Sequence, residues 1–305
     1  MAVGRAGPDP VVEIEGRRLK LSNLDKVLYP ETGTTKAEVI DYYARIAPVM
    51  VPHLEDRGVT LRRFPDGVEG GSFFEKRCPS HRPEWVGTQL GPGDRNGDIG
   101  YCRLDSTPAL VWAANMAALE IHAPMARDDI ETPTMCVFDL DPGEGTGIRQ
   151  CADVALDVRH VLEGFGLVGF PKTSGSKGLQ VYVPLNSRHT HEQASAFALA
   201  VAGLLARAHP EGIVSNMKRS LRKGKVLVDW SQNSRHKTTV AVYSLRARPR
   251  PTVSTPVTWD EVEAAAGGAP LSFEIADVLA RADEHGDLFA DTLSLEQRLP
   301  ETPAG

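Results

Sequence analysis

The sequence predicts a mixed α/β protein, and three observations carry that reading. Short runs rich in Val and Leu alternate with stretches of helical periodicity, giving a strand–helix–strand order along the chain. The 305 residues, 41% of them hydrophobic, suffice to bury a substantial core. Paired carboxylates, a small-residue loop and a basic stretch gather between residues 135 and 250, so the chemistry sits on the predicted strands and their ends.

Taken in order, residues 1–10 read as a disordered lead. Residues 11–21 alternate enough for a strand or hairpin, and Pro30-Glu31-Thr32-Gly33 is a turn. Thr35 is a candidate N-cap for a helix through Tyr42, Ala44, Ile46 and Met50, expected to end before Pro52 because proline breaks the hydrogen-bond ladder. Residues 58–76 read as short strands about the turn Pro65-Asp66-Gly67, residues 91–97 as a polar loop, and residues 110–121 as a helix with an apolar face ending at His122. Strands follow at 135–141, 179–185, 226–230 and 239–245, with helices at 149–162, 192–208 and 273–288 and an extended segment at 249–256. Neither repeats nor low-complexity tracts occur. Residues 11–295 are taken as a single domain, its 11–130 portion ahead of a 131–295 portion that holds the chemistry, and 296–305 as a tail.

No apolar run reaches membrane-spanning length, and the N-terminal residues lack the apolar core of a signal peptide. Cys78, Cys102, Cys136 and Cys151 form no CxxC pair. Buried free thiols are expected rather than a zinc site, and the chain reads as cytoplasmic. The net charge of −6 argues weakly against a nucleic-acid partner, but its distribution argues for one. Ten Lys and Arg residues lie between Lys218 and Arg250 with Asp229 the only acid, while acidic residues concentrate at 260–301. On charge alone a solvated basic face accounts for this equally well.

The most specific stretch is Val137-Phe138-Asp139-Leu140-Asp141-Pro142-Gly143. Side chains alternate along a strand, so Asp139 and Asp141 share a face, and two like charges there call for a cation with oxygen ligands, Mg²⁺ or Mn²⁺. The pair alone is not diagnostic, since D-x-D also occurs in sugar-nucleotide transferases; a calcium loop does not fit, because the later ligands are out of register. A phosphatase with an aspartyl nucleophile fits poorly, because Pro142-Gly143-Glu144 replaces the expected tail. Thr173-Ser174-Gly175-Ser176-Lys177-Gly178 supplies close backbone approach, hydroxyls and a cation to an anion, although an ordinary turn reads the same way. It is not a P-loop. Asp229 adds a third carboxylate on a buried strand, which either pairs with an arginine or completes a two-metal site for phosphoryl transfer.

DLDPGEG, TSGSKGL, KVLVDWSQN and YSLRAR, with LSNLDKVLYPETGTTK and RRFPDGV…FFEK upstream, resemble the polymerase domain of bacterial ligase D and its stand-alone Prim-PolC-like relatives in the archaeo-eukaryotic primase superfamily. The resemblance spans residues 11 to 292. It implies a primase-polymerase fold, with central mixed or antiparallel sheets and an RRM-like catalytic core flanked by helices, residues 11–130 being the DNA-binding portion. It implies that Asp139, Asp141 and Asp229 are the catalytic metal ligands for two Mn²⁺ or Mg²⁺ ions. Arg62, His122, Ser174, Lys177, Gln180 and Arg246 would bind the incoming NTP or dNTP. Lys26, Lys36, Arg63, Phe73, Phe74 and Arg222 would bind DNA, with the two lysines on a 5′-phosphate across a gap and the two phenylalanines stacking on bases. Without the resemblance, Lys26 and Lys36 read as surface lysines and His122 as a structural histidine.

The chain departs from the family at Gln180, where histidine is expected, and in short segments at 91–97 and after His122, where longer insertions help bridge broken ends. A glutamine amide donates to phosphate but carries no charge. The resulting expectation is a stand-alone, nucleoid-associated cytoplasmic enzyme that fills short gaps in primed DNA, preferring ribonucleotides. No K-x-D-G ligase motif occurs, so a separate DNA ligase would seal the product. The rival expectations are an end-joining polymerase recruited by Ku, and a DNA gap or end binder with weakened catalysis.

Overall fold

The computed structural model describes residues 9–93 and 97–300; most of the expected lead and half of the expected tail lie outside them. The chain opens with the hairpin β1 (Val11–Ile14) and β2 (Arg17–Lys20), whose two-residue turn has Glu15 and Gly16 both at positive φ, the twist that tight hairpins require. A two-stranded ribbon of β3 (Val27–Tyr29) and β4 (Thr34–Thr35) leads into α1 (Lys36–Leu54). Thr35 is the N-cap as expected. Its hydroxyl accepts from Glu38 N, and the Glu38 carboxylate accepts from Thr35 N at 2.7 Å. The helix does not end before Pro52: it passes both Pro48 and Pro52. Tyr42, Tyr43, Ile46 and Met50 are fully buried on its opposite side, and that packing outweighs the ladder bonds the prolines omit.

β5 (Gly58–Arg63) is central to a six-stranded sheet. It pairs with β6 (Phe73–Glu75), β8 (Asp98–Arg103) and β9 (Ala118–Pro124), and β7 (Thr88–Pro92) extends the sheet beyond β8. Between β8 and β9 lies α2 (Thr107–Asn115). The expected helix over 110–121 is thus a helix and a strand. Ala117 sits at φ +57, a left-handed turn without the glycine that would flag it, and reverses the chain between two apolar stretches. His122 consequently lies within a strand, not at a helix end.

A five-stranded mixed sheet follows, in the order β11 (Phe170–Thr173), β12 (Leu179–Pro184), β10 (Met135–Pro142), β14 (Val226–Asp229), β13 (Ile213–Val214). All pairs are antiparallel except β13 with β14. Cys136, Phe138 and Leu140 of β10 pack beneath α3 (Ile148–Gly164) and α4 (His191–Ala208), as do Leu179, Val181 and Val183 of β12. The alternate residues, Val137 and Tyr182 among them, face the core that joins this sheet to the six-stranded one. β15 (Thr238–Val240) pairs with β9, and α5 (Trp259–Ala266) and α6 (Ile275–His285) close the fold. β15 is shorter than the expected strand because Tyr243 takes φ +64 and turns the chain.

The thiol expectation holds for Cys136 and Cys151, which are free and buried, but not for the other two: Cys78 and Cys102 form a disulfide. Cys78 N donates to Gly100 O, laying its segment along β8 and bringing together thiols 24 residues apart with no motif spacing to announce it.

Candidate active site

One row of side chains runs straight across four strands of the five-stranded sheet. In register, Lys172 of β11 faces Gln180 of β12, Gln180 faces Asp139 of β10, and Asp139 faces Asp229 of β14. Partners in register share a face, and two residues along β10 Asp141 joins them on it. Carboxylates therefore stand on adjacent strands, and a cleft of about 430 Å³ is lined by Asp139 and Asp141, with Gln232, which holds Asp229, on its wall. Asp139 and Asp141 are both pushed up from the carboxylate range, first by burial and then by neighbouring carboxylates. Asp229 is oriented by its own turn: Oδ1 accepts from Ser231 N (2.8 Å) and Oγ (2.7 Å), and Oδ2 from Gln232 Nε2 (3.1 Å).

The donor set fits a hard divalent cation, being all carboxylate oxygen with no sulfur. A cation relieves the repulsion that raises Asp139 and Asp141. Among the described residues, no three His, Cys, Asp or Glu side chains are already gathered round one point, Asp229 being held towards Ser231 and Gln232.

The loop 174–178 borders the same cleft. Ser174 Oγ accepts from Ser176 N and Gly178 N, both at 3.2 Å, and Ser174 N donates to Gly178 O, so the loop is closed on itself. Lys177 is exposed at its tip. Gly178 is required there: a Cβ would lie 2.1 Å from Leu140 O, which means that the loop rests directly on the carboxylate strand. Gly143 plays the same part on the other side, where a Cβ would meet Arg222 O at 1.8 Å and Arg222 borders the cleft.

Glu120, a residue the sequence reading passed over, organises the remaining cations. It is 1% exposed on β9. Its carboxylate accepts from His122 Nε2 (3.0 Å), Arg246 Nε (3.2 Å) and Ala247 N (3.0 Å), with Arg62 at 3.5 Å. Burial alone would raise its pKa, but the His122 hydrogen bond and the Arg246 charge outweigh burial and hold Glu120 well below the carboxylate range. Three candidate nucleotide contacts thus converge on one buried anion, and Arg246 also donates to Ser174 O at 2.6 Å, tying this cluster to the loop. The only sequence signal is a lone acid within an apolar strand.

Phe73 and Phe74 are 45% and 57% exposed. Phe74 stands edge-on to His122 with Arg62 over its ring, and Arg63 lies over Phe73. Arg63 is also engaged structurally, donating to Met116 O and Glu75. Arg222 donates to Met217 O. Lys26 and Lys36 are neighbours across the β3–β4 ribbon, Lys36 N donating to Lys26 O. Lys26 is half-exposed and paired with Asp66 at 2.8 Å. Lys36 is no surface lysine: it is buried at the first turn of α1, donates to Ser22 O at 2.6 Å, and is lowered by burial to about 8. Phe74 adjoins the carboxylate cleft through His122, while neither phenylalanine and neither lysine of this pair lines that cleft itself.

An RRM-like sheet with carboxylates on adjacent central strands beside a closed small-residue loop fits the class of primase-like nucleotidyltransferases. More narrowly, residues 35–289 match the family described as LigD, primase-polymerase domain, and the chain belongs to that family. It is 47% identical over 276 residues to the multifunctional non-homologous end joining protein LigD of Mycolicibacterium smegmatis, an alignment covering 90% of this chain and 36% of that protein. It is 30% identical over 275 residues to the bifunctional non-homologous end joining protein LigD of Bacillus subtilis, covering 90% of this chain and 44% of that one. The polymerase domain of Mycobacterium tuberculosis ligase D, solved in complex with DNA, superposes with a TM-score of 0.86 at 44% identity, covering 90% of this chain and 98% of that chain. The chain spans little more than a third of the length of the curated M. smegmatis relative.

Proposed function

We propose that this chain extends primer 3′ ends at short gaps in DNA, with Asp139, Asp141 and Asp229 holding the divalent cations and ribonucleotides preferred. The carrying observation is the register that sets Asp139 opposite Asp229 with Asp141 on the same face. When bound, Mn²⁺ or Mg²⁺ lowers the pKa of the attacking 3′-hydroxyl and neutralises the triphosphate. The chain's own residues bind and orient. Ser174, Lys177 and Gln180 border the cleft where phosphates would lie; Arg246 adds positive charge and His122 a ring nitrogen, both fixed by Glu120. Phe73 and Phe74 offer exposed rings to bases, with Arg62, Arg63 and Arg222 beside the strand path. Lys26 and Lys36, at the N-terminus of α1, offer a corner suited to a 5′-phosphate. A separate ligase activity would seal the product.

Primer extension on a one-nucleotide gap tests this reading. Wild type is expected to extend the primer with Mn²⁺ and to prefer NTPs over dNTPs in competition, while Asp139→Ala does not extend it. Equal extension by both proteins overturns the proposal and leaves a gap or end binder.

The names of the relatives favour a second reading, end joining, for which we propose Ku as the recruiting partner. Comparing a gapped duplex with two separate 3′-overhanging ends, with and without Ku, separates the two. Efficient extension across separate ends supports end joining, and extension confined to the gap supports gap filling.

A further inference from the structure

Lys172 belongs to no motif that the sequence singled out, yet it is the most constrained side chain in the row. It is 1% exposed, and its ammonium meets three acceptors: Gln180 Oε1 at 2.5 Å, Ser254 Oγ at 2.6 Å and Val240 O at 3.1 Å. An ammonium has three hydrogens and accepts nothing, so this set uses all of them. Ser254 can serve as an acceptor because its own hydrogen goes to Thr173 O at 2.9 Å.

The consequence falls on Gln180. A terminal amide has a donor end and an acceptor end of nearly the same shape, and the two orientations present opposite charge to a neighbour. Burial lowers Lys172 to about 7 against the pull of the Asp139 charge; as an ammonium it only donates, and the Gln180 oxygen must then face it. Its nitrogen is then directed at Asp139 Oδ1, 3.0 Å away. That nitrogen carries two hydrogens; one goes to Asp139, and the second is available to the cleft that Gln180 borders. Turned the other way, the amide would set its oxygen against a carboxylate and against any phosphate in the cleft.

We propose that Lys172, held by Ser254, is a positioning residue that locks the Gln180 amide with its NH₂ towards Asp139 and the nucleotide cleft. A fixed donor thereby stands where the family resemblance leads to the expectation of histidine. The proposal rests on the polymerase reading for the identity of the ligand, but the amide orientation itself does not.

Two measurements test it. The Gln180 side-chain amide, assigned by its disappearance in Gln180→Ala, is expected to give two dispersed, slowly exchanging proton signals in the ligand-free protein. In Lys172→Met these should move towards the positions of a free glutamine. Ser254→Ala loosens the ammonium without removing it and should move them in the same direction. Signals unchanged in both variants overturn the proposal. The second measurement is equilibrium binding of ATP with Mn²⁺ in the absence of primer. Lys172→Met is expected to weaken binding about tenfold when Gln180 is present and less than twofold in the Gln180→Ala background. Equal losses in the two backgrounds would mean that Lys172 acts through charge or packing alone, and would overturn the positioning role. If wild type binds no nucleotide, the polymerase reading fails while the amide signals still decide the orientation.

Discussion

Asp139 shows how a proposed metal ligand burdens the fold that carries it. Its pKa is raised by burial and by Asp141, so the charged form is disfavoured in the folded state. That penalty is fully present above the folded pKa and is relieved as pH falls towards the ordinary value of 3.8. Asp139→Asn removes the charge and keeps the acceptor for Gln180. It is expected to raise Tm at pH 8 by about 2–4 °C without added metal and to abolish the further rise that Mn²⁺ gives the wild type. Melting curves with and without Mn²⁺ check both parts, and an unchanged Mn²⁺ response in the variant would count against Asp139 as a ligand. Glu120 is the opposite case, a buried anion with every partner in place. Glu120→Ala would strand Arg246 and His122, and denaturant unfolding should show a loss of about 3–5 kcal/mol. Asp139, Asp141 and Asp229 were legible because each ends an apolar run. Lys172 and Glu120 were not: each is a single charge inside a strand, and partners such as Ser254 and Arg246 arrive from 82 and 126 residues away.

At the scale of elements, legibility followed local chemistry. Thr35 and Glu38 announce α1, and the alternation of β10 announces which face carries the carboxylates. The boundary at Ala117 failed because a left-handed alanine looks like helix in any sequence pattern, and α1 outran Pro52 because its packing is tertiary. The β3–β4 ribbon carries a prediction of its own. It brings Lys26 beside Lys36 at the start of α1, Lys36 N donating to Lys26 O, with the Lys26 ammonium on Asp66 and the Lys36 ammonium on Ser22 O. Replacing both with Ala should abolish the advantage of a 5′-phosphorylated gap over an unphosphorylated one. Extension of an open primer-template, which offers no such phosphate, should remain nearly intact. Equal loss on the two substrates would remove the lysines from phosphate recognition.

For the whole molecule, the difficulty is that a chain of net charge −6 is proposed to hold a polyanion. The two signs are separated along the chain, although Arg250 pairs with Glu274 where the segments meet. Acidic residues gather in the C-terminal segment that carries α5 and α6, whereas the stretch from Lys218 to Arg250 threads β14 and β15 past the cleft with Asp229 as its sole acid. Asp229 sits within the carboxylate row, so the acid that interrupts the basic stretch is itself part of the site. Lys218 and Arg219 are exposed just before β14, outside the cleft. If that stretch meets the DNA backbone, each cation releases condensed counterions on binding. The double variant Lys218→Ala, Arg219→Ala should then flatten the slope of log K against log salt for duplex DNA by about 1.8. Binding of ATP with Mn²⁺ depends on the cleft and should not change. A slope equal to wild type would move the DNA path off this stretch, and a matching loss of nucleotide binding would place both residues in the cleft.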